Sequence, residues 1–386
     1  MKWPNVPIGN IAKVISGYAF KSKEFKPIGD IPVIKIANIR RGYVDLSDAV
    51  FVSNDFISLD TRFQVTFGDI LISLTGSHIT LPNSVVGRVA KYRIQKTSLL
   101  NQRAGKFLID TTIADKDFVY YALSMQETLE RIASFAHGAA NQANISPSNV
   151  ESVTISLPPL PTQQRIASIL SAYDDLIENN LRRIQLLEDA ARCEYKMMMD
   201  ESETKMKQQG LECDLIMGQS PPSSTYNKTG EGVPFHQGVT NFGTRFVKHE
   251  SFCKAPTKLS CPNDILISVR APVGRLNFTQ DIICVGRGLA AIRNKSGFQQ
   301  FQFQQLKDFF FFEDRIGSGA IFNATTKKEL ETLELPYPSN STIEKLELSI
   351  EPIHEQIKTL TNQNIILRQA RDILLPKLMS GEIEVL

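Results

Sequence analysis

The alternation of apolar and polar positions changes period three times along the 386 residues of this chain. Residues 1–158 hold short runs rich in branched side chains, Ile31 to Ala37 and Asp69 to Leu74, bounded by turn signals at Arg41-Gly42 and Phe67-Gly68. Such runs predict strands. Residues 115–134 place Phe118, Ala122, Leu123, Leu129 and Ile132 on one side, which predicts a single amphipathic helix. The prolines of LPPLPTQQ (157–164) then end this block and permit a helix start.

Residues 159–200 read differently. From Gln163 to Met199 there is neither proline nor glycine, and Ile166, Leu170, Tyr173, Ile177, Ile184, Leu187 and Ala191 recur at heptad spacing with Asn180 as the polar member. A helix over that stretch is about 55 Å long, too long to serve one small domain. Residues 201–339 return to strand-like runs, with a helical stretch near 298–314 and a strand from Glu331 to Tyr337. The rings of Phe309 to Phe312 would point all round such a helix, so they read as core rather than as a stacking platform for bases. Residues 340–386 open with Ser341 and Glu344 at capping-box spacing. They continue with the seam Leu346, Ile350, Ile353, Ile357, Leu360, Asn364, Leu367, Arg371 and Leu374, and Pro352 should kink this helix.

The third and fourth blocks repeat the first and second. Asp69-Ile70-Leu71-Ile72-Ser73 returns as Asp264-Ile265-Leu266-Ile267-Ser268, Val86-Gly87-Arg88 as Val273-Gly274-Arg275, and Val150-Glu151-Ser152-Val153 aligns with Leu330-Glu331-Thr332-Leu333. The predicted fold is α+β: two β-rich domains alternating with two long helices, a pseudo-two-fold internal repeat whose helices pair as an antiparallel coiled coil. A lone Asn in an apolar seam is costly, whereas two that face each other satisfy one another and fix the register. Placing Asn180 opposite Asn364 sets Leu170 against Leu374, Ile177 against Leu367, Ile184 against Leu360, Leu187 against Ile357 and Ala191 against Ile353. The same choice sets Tyr173 against Arg371 and Glu194 against Ile350, two uncomfortable pairs.

Composition narrows the function. Net charge is only +2, but both strand-rich blocks are mildly basic and both helical blocks mildly acidic. Between Asp69 and Asp110 there is no acid, while Arg88, Lys91, Arg93, Lys96, Arg103 and Lys106 fall there. The matching stretch after Asp264 holds Arg270, Arg275, Arg287, Arg293, Lys295 and Lys307 against Asp281 alone. A sign-pure patch that recurs suits a polyanion, and phosphate contacts supply most non-specific affinity for nucleic acid. No apolar run approaches a membrane span, and the start MKWPNVPIGN has no signal-type core, so a cytoplasmic protein is expected. Five cysteines without CxxC spacing and five scattered histidines suggest neither disulfides nor a metal site.

Catalytic motifs are absent. Ser220-Pro221-Pro222-Ser223 approaches the S/N/D-P-P-aromatic motif of amino-methyltransferases, but Ser223 cannot stack on a base. Asp264 before its apolar strand lacks the Glu-x-Lys of a metal-dependent nuclease and reads as a turn residue. There is no phosphate-binding P-loop and no convincing nucleophile–base arrangement, so no catalytic residue is assigned.

The segments GQSPPSSTYNKTGEGVPFHQG (218–238), ISVRAPVGRLN (267–277), CVGRGLAAIR (284–293), SLPPLPTQQRIASIL (156–170) and LLPKLMSGEIEV (374–385) together resemble the specificity (S) subunit of type I restriction–modification enzymes, a bacterial defence system. The resemblance spans essentially the whole chain. It implies two target recognition domains, two helices that bind two modification (M) subunits, and restriction (R) subunits that join for cleavage. It also implies a bipartite target in double-stranded DNA, methylated at N6 of adenine by the M subunits. S-adenosylmethionine, ATP and Mg would then belong to partners, with no cofactor in this chain.

Base reading needs Arg, Asn, Gln, Ser or Thr on loops. In the first domain the candidates are Lys35, Arg40 and Arg41, then Thr75, Ser77 and His78, then Arg88, Asn101, Gln102 and Arg103, and finally Asn141 and Gln142. In the second they are His236, Gln237, Thr240, Asn241 and Arg245, with Arg270, Arg275, Arg287 and Asn323. Arg88 and Arg275 recur in register and cannot distinguish two half-sites, so they are expected to hold phosphate or to be structural. The competing readings are a stand-alone DNA methyltransferase or nuclease, and a coiled-coil scaffold without a DNA role.

Overall fold

The uninterrupted heptad stretches form two long helices, Leu160–Glu201 and Asn340–Ser380, in a computed structural model that describes residues 3–77, 85–139, 142–310 and 325–385. Pro161 lies in the first turn of the first helix, where a missing N–H costs nothing. The second helix does not use the expected Ser341–Glu344 box. It begins at Asn340, and the Thr342 N–H donates to the Ser339 hydroxyl at 3.2 Å. Pro352 falls inside this helix, which is assigned without interruption.

The chain folds as two compact units, Met1–Ile177 with Ile365–Leu386, and Glu178–Asn364. Sequence pattern divides the chain into four consecutive segments; packing divides it differently, because each strand-rich domain shares its core with half of each long helix. In unit 1, Ile166, Ala167, Leu170, Leu378 and Met379 join Ile8, Phe107, Phe118 and Tyr121 in one buried cluster. In unit 2, Ile184, Ala191, Ile350, Ile357 and Leu360 join Phe246, Phe278, Phe301 and Leu335.

Both units have the same strand plan. In unit 1 one sheet runs Ala12–Ser16, Ala104–Ile109, Ile70–Ser73, Val89–Lys91, Gly42–Tyr43, and a second runs Val50–Val52, Ile31–Ile34, Ser98–Leu100, Gln64–Val65. In unit 2 the first sheet runs Cys213–Met217, Leu289–Asn294, Ile265–Ser268, Leu276–Phe278. Its edge strand is reduced to a single bridge between Phe246 and Phe278. The second sheet runs Tyr226–Asn227, Phe252–Cys253, Val233–His236, Cys284–Val285.

Individual hydrogen bonds repeat as well. The Ile8 N–H donates to Val153 O at 2.8 Å, and the Gln209 N–H to Leu333 O at 2.8 Å. The recurring Val-Gly-Arg is a turn pinned by the serine that ends each DILIS strand. The Arg88 N–H donates to Ser73 Oγ at 3.0 Å and the Arg275 N–H to Ser268 Oγ at 2.8 Å. Gly87 and Gly274 carry φ of 76° and 84° in these turns, a region that disfavours side chains.

Three further expectations about the elements need correction. Residues 115–134 form two helices, Lys116–Ser124 and Gln126–Ser134, separated by extended Met125, so that Phe118, Val119 and Ala122 as well as Ile132 reach one core. The helix near 298–314 is Gln299–Phe310; the rest, including Phe311 and Phe312, lies outside the described residues, while Phe309 and Phe310 pack on the core. Glu331 ends a short helix, Lys327–Glu331, and the strand is Glu334–Tyr337.

The helices run antiparallel. In unit 2 the Asn180 Nδ2 donates to Asn364 Oδ1 at 3.0 Å, with both residues buried. One turn on, Ile184 and Leu360 fall opposite by this register and share the same core cluster, as do Ile357 and the half-buried Leu187 and Ile353. In unit 1, Leu170 and Leu374 share a cluster. The two uncomfortable layers resolve through neighbours. Arg371 donates to Asp174 at 2.6 Å rather than resting on Tyr173. Glu194 accepts from the Ser349 hydroxyl while Ile350 is fully buried.

Arg245, expected at DNA, is instead fully buried in unit 2. It donates from Nη1 to Glu188 Oε1 at 2.9 Å, from Nη2 to Gln300 Oε1 at 2.8 Å and from Nε to His354 Nδ1 at 3.2 Å. Its guanidinium lies over Phe303 and Phe278. Desolvation pushes the Glu188 pKa up, but Arg245 and Lys307 outweigh it and hold the carboxyl below its usual range. Burial, with Arg245 and Lys358 adding to it, lowers the His354 pKa to about 3.

Replacing Asn180 by Leu removes the amide that pairs with buried Asn364 and should cost about 1–3 kcal/mol, whereas Asn180→Leu with Asn364→Leu should recover most of it. Urea unfolding of the single and double variants measures this; equal losses would refute the mutual pairing.

A histidine whose folded pKa lies below its unfolded value stabilises the fold above the unfolded pKa, and that contribution is lost as pH falls toward the folded one. For His354 the window runs from 6.5 down to about 3. His354→Gln keeps an acceptor for Arg245 and should flatten the acid loss of stability by roughly 1 kcal/mol per pH unit between pH 6.5 and 4.5. Unchanged slopes of urea midpoint against pH would contradict a neutral, buried imidazole.

Candidate nucleic-acid interface

The loops that leave the second sheet of each unit present the polar residues singled out by sequence, on a shared backbone frame. In unit 1 the Asn101 N–H donates to Ile34 O at 3.0 Å, Ala104 N–H to Asn101 O at 2.9 Å and Leu74 N–H to Arg103 O at 3.0 Å. In unit 2 the Gly286 N–H donates to His236 O at 2.8 Å, Leu289 N–H to Gly286 O at 3.0 Å and Val269 N–H to Gly288 O at 2.9 Å. The turn Asn101-Gln102-Arg103-Ala104 therefore corresponds to Gly286-Arg287-Gly288-Leu289. The short helical turns Ile36–Asn38 and Val239–Asn241 also match, since Asp45 N–H donates to Asn38 O and Lys248 N–H to Asn241 O, both at 2.8 Å.

In unit 2 these loops enclose a cleft of about 190 Å³ lined by Gln237, Arg270, Arg287, Ser268 and the backbone of Gly238 and Gly288. Gly288 is dictated by close approach, because a Cβ there would sit 2.3 Å from Gln237 O. The Ser220 hydroxyl accepts the Arg287 N–H at 3.3 Å and seats that turn. Ser220-Pro221-Pro222-Ser223 is thus a structural turn, closed further by the Tyr226 hydroxyl on Pro221 O at 2.8 Å. Asp264 is likewise structural, accepting the Cys261 N–H at 2.7 Å and the fork of Arg293 at 2.7 and 2.9 Å.

Arg270, Arg275, Arg287, Gln237 and Thr240 are exposed, and Asn241 is half-buried. In unit 1, Gln102 and Arg103 are exposed, and Arg41 is exposed but donates to Gln126 at 2.8 Å. Arg40 and Arg88 are half-buried neighbours; burial and then the Arg40 charge hold the Arg88 pKa below its usual value. A 3.6 Å contact with Asp45 offsets Arg40 only in part. Lys35 is half-buried, with its ammonium 3.9 Å from the Phe25 ring centroid.

Several candidates face inward. Thr75 is buried with its hydroxyl on Asn144 Oδ1 at 2.9 Å, and Ser77 accepts the Val85 N–H at 3.1 Å, so both hold a loop together. Asn101 is buried within its own turn. His236 is buried and shares a 2.9 Å hydrogen bond with His249, which in turn meets Asp281 at 3.0 Å. Burial, then the nearby His249, lowers the His236 pKa to about 4. His78, Asn141 and Asn323 lie outside the described residues, as does the side chain of Gln142.

The sign-pure stretches of sequence are not sign-pure in space. Lys91 meets Asp117 at 2.6 Å, Arg93 meets Asp174 and Asp175 at 3.2 and 3.1 Å, and Lys106 lies 3.6 Å from Asp69. In unit 2, Arg293 is bound to Asp264 and Lys307 to Glu188. Among the described residues, acids pair with three of the six basic groups in the first run and with two of the six in the second, while Lys96, Arg103, Arg270, Arg275, Arg287 and Lys295 are exposed. The correspondence of Gln102-Arg103 with Arg287-Gly288 was invisible in sequence because the two turns share no residue. Among the described residues no cluster of His, Cys, Asp or Glu could hold a metal, and no helix is long and apolar enough to cross a membrane.

Residues 1–189 match the family model for the type I restriction modification DNA specificity domain. The MjaX type I restriction enzyme specificity subunit of Methanocaldococcus jannaschii is 29% identical over 99% of this chain and 94% of its own length. The EcoAI specificity subunit of Escherichia coli is 30% identical over 47% of this chain and 30% of its own. The crystal structure of the type I restriction–modification S subunit of M. genitalium has the same fold, with a TM-score of 0.59 over 97% of this chain and 96% of that one at 18% identity. With its doubled strand plan and its paired helices, the chain is similar over essentially its whole length to the specificity subunits of type I restriction–modification systems.

Proposed function

We propose that this chain reads a bipartite, asymmetric sequence in double-stranded DNA and directs partner M subunits to methylate adenine N6 within it. R subunits add restriction to the same complex in the cytoplasm. One observation carries the asymmetry: two loop frames closed by matching backbone hydrogen bonds present different side chains at equivalent places, Gln102-Arg103 in one unit and Arg287-Gly288 in the other. Identical loops would read a palindrome; these read two different half-sites. Arg287 and Gln237 have the reach and the donors for guanine and adenine edges, whereas Arg88, which recurs in register as Arg275, suits phosphate.

The subunit contributes recognition, not chemistry. S-adenosylmethionine, ATP and Mg are held by the partners. Two M subunits seat on the long helices, whose outer faces retain exposed apolar residues: Ile169, Leu176, Ile366 and Ile373 in unit 1, Leu186 and Leu348 in unit 2. The first of these helices is net acidic and the second carries as many basic as acidic groups, which suits protein partners better than phosphate. Purified alone with DNA and labelled methyl donor, the chain should transfer nothing; transfer would favour a stand-alone methyltransferase.

Methylation-sensitive sequencing of cells that express the chain with its M partner should give two unlike half-sites of about 3–5 base pairs, with centres about 34 Å apart. A continuous or palindromic motif refutes the reading.

Arg88→Ala should weaken binding to all duplexes alike and reduce the salt dependence by about one counterion. Gln237→Ala or Arg287→Ala should instead relax one position of one half-site by about 1–3 kcal/mol. Binding titrations on a panel of single-base variants separate the two outcomes, and a changed motif in Arg88→Ala would reverse these roles.

A further inference from the structure

Each strand-rich domain meets its share of the long helices around one buried carboxylate of the first helix. In unit 2 this is Glu188, which takes Arg245 at 2.9 Å and Lys307 at 3.0 Å, while Arg245 also reaches His354 of the second helix. In unit 1 it is Asp174, which takes Arg93 at 3.2 Å, the Tyr121 hydroxyl at 2.8 Å and Arg371 of the second helix at 2.6 Å. The Glu188, Asp174 and Arg245 side chains are 6%, 8% and 0% exposed.

Stability does not account for such clusters. Desolvating each ion costs several kcal/mol, and well-packed apolar residues of similar volume hold a fold at least as well. What the clusters add is direction. A guanidinium fork satisfies its partners in one plane at set angles, whereas apolar surfaces tolerate sliding and rocking. Arg245 ties the hairpin that carries it to Gln300 of helix Gln299–Phe310 and to both long helices at once. A spacer longer by one base pair displaces a half-site by about 3.4 Å and turns it by about 35°. Rejecting it therefore requires a recognition domain held to within about half of each.

We propose that the Glu188–Arg245 and Asp174–Arg93 clusters are positioning clamps that hold each recognition domain at one angle on the helices, so that the DNA spacer has a single length. The inference rests on the bipartite reading above. The two clamps are chemically distinct: alignment of the repeats puts His354 where the first helix has Asp174, so each domain fits its own seat.

The test is the methylome of cells that express the subunit with its M partner, parent against the double variant Glu188→Met with Arg245→Met. The double variant keeps the buried volume and removes both ions, and its thermal unfolding midpoint verifies folding. The clamp predicts the same half-site letters at two or more spacer lengths, with at least about one methylated site in ten displaced by a base pair. A folded double variant that methylates only at the parent spacing overturns the clamp while leaving the bipartite reading intact. A merely structural role would lower methylation at every site alike without moving the spacing. Should the double variant yield no soluble subunit, Arg245→Lys is decided by the same criterion, since lysine keeps the charge beside Glu188 but cannot reach Gln300 and His354 together. A parent with no split motif overturns the bipartite reading and the clamp with it.

Discussion

The hydrogen bond between Asn180 and Asn364 sets which residues of the two long helices face one another, and the rest of the packing depends on that choice. An apolar seam alone accepts several registers with similar energy. Two buried amides accept one, because any shift leaves each without a partner in a region closed to water. Once it is set, Ile184 and Leu360 meet in the core of unit 2, and both helices complete the cores of the strand-rich domains. Those domains share part of their cores with the helices: Val89 lies in the cluster of Ile166 and Leu170, and Leu276 and Phe278 in that of Ile184 and Ile357.

The repeated strand plan separates what must be constant from what can vary. The Ser73 and Ser268 hydroxyls pin the same Val-Gly-Arg turn, and the same backbone hydrogen bonds close the neighbouring loops in each unit. Side chains on those loops point outward and contribute little to the core, so they are free to differ. A fold that fixes loop backbones through main-chain bonds and serine hydroxyls can change what it reads without changing how it folds.

Charge follows a different logic from apolar pattern. The basic stretches after Asp69 and Asp264 look sign-pure because the acids that answer them either stand at their starts, as Asp69 and Asp264 do, or lie outside them, as Asp117, Asp174, Asp175 and Glu188 do. Some of the basic groups organise the interior and the domain–helix seats. Of the others, Arg103, Arg270, Arg275 and Arg287 are exposed on loops.

Local periodicity and self-similarity determined much of this protein before any coordinates: the two long helices, the two strand-rich repeats, the antiparallel register through Asn180 and Asn364, and the absence of a catalytic motif. These follow from seven-residue spacing and from residue identity, both of which are local in sequence. Packing alone decided which polar residues face solvent. Arg245, His236 and Thr75 resemble surface ligands in sequence and are buried, whereas Arg287 and Gln237 share a cleft across 49 intervening residues. A polar side chain's role depends on its partner, and for Arg245 the partners are Glu188, Gln300 and His354, contributed by three different elements. No one-dimensional pattern records such a meeting, because its energy comes from desolvation and geometry that exist only once the chain has folded.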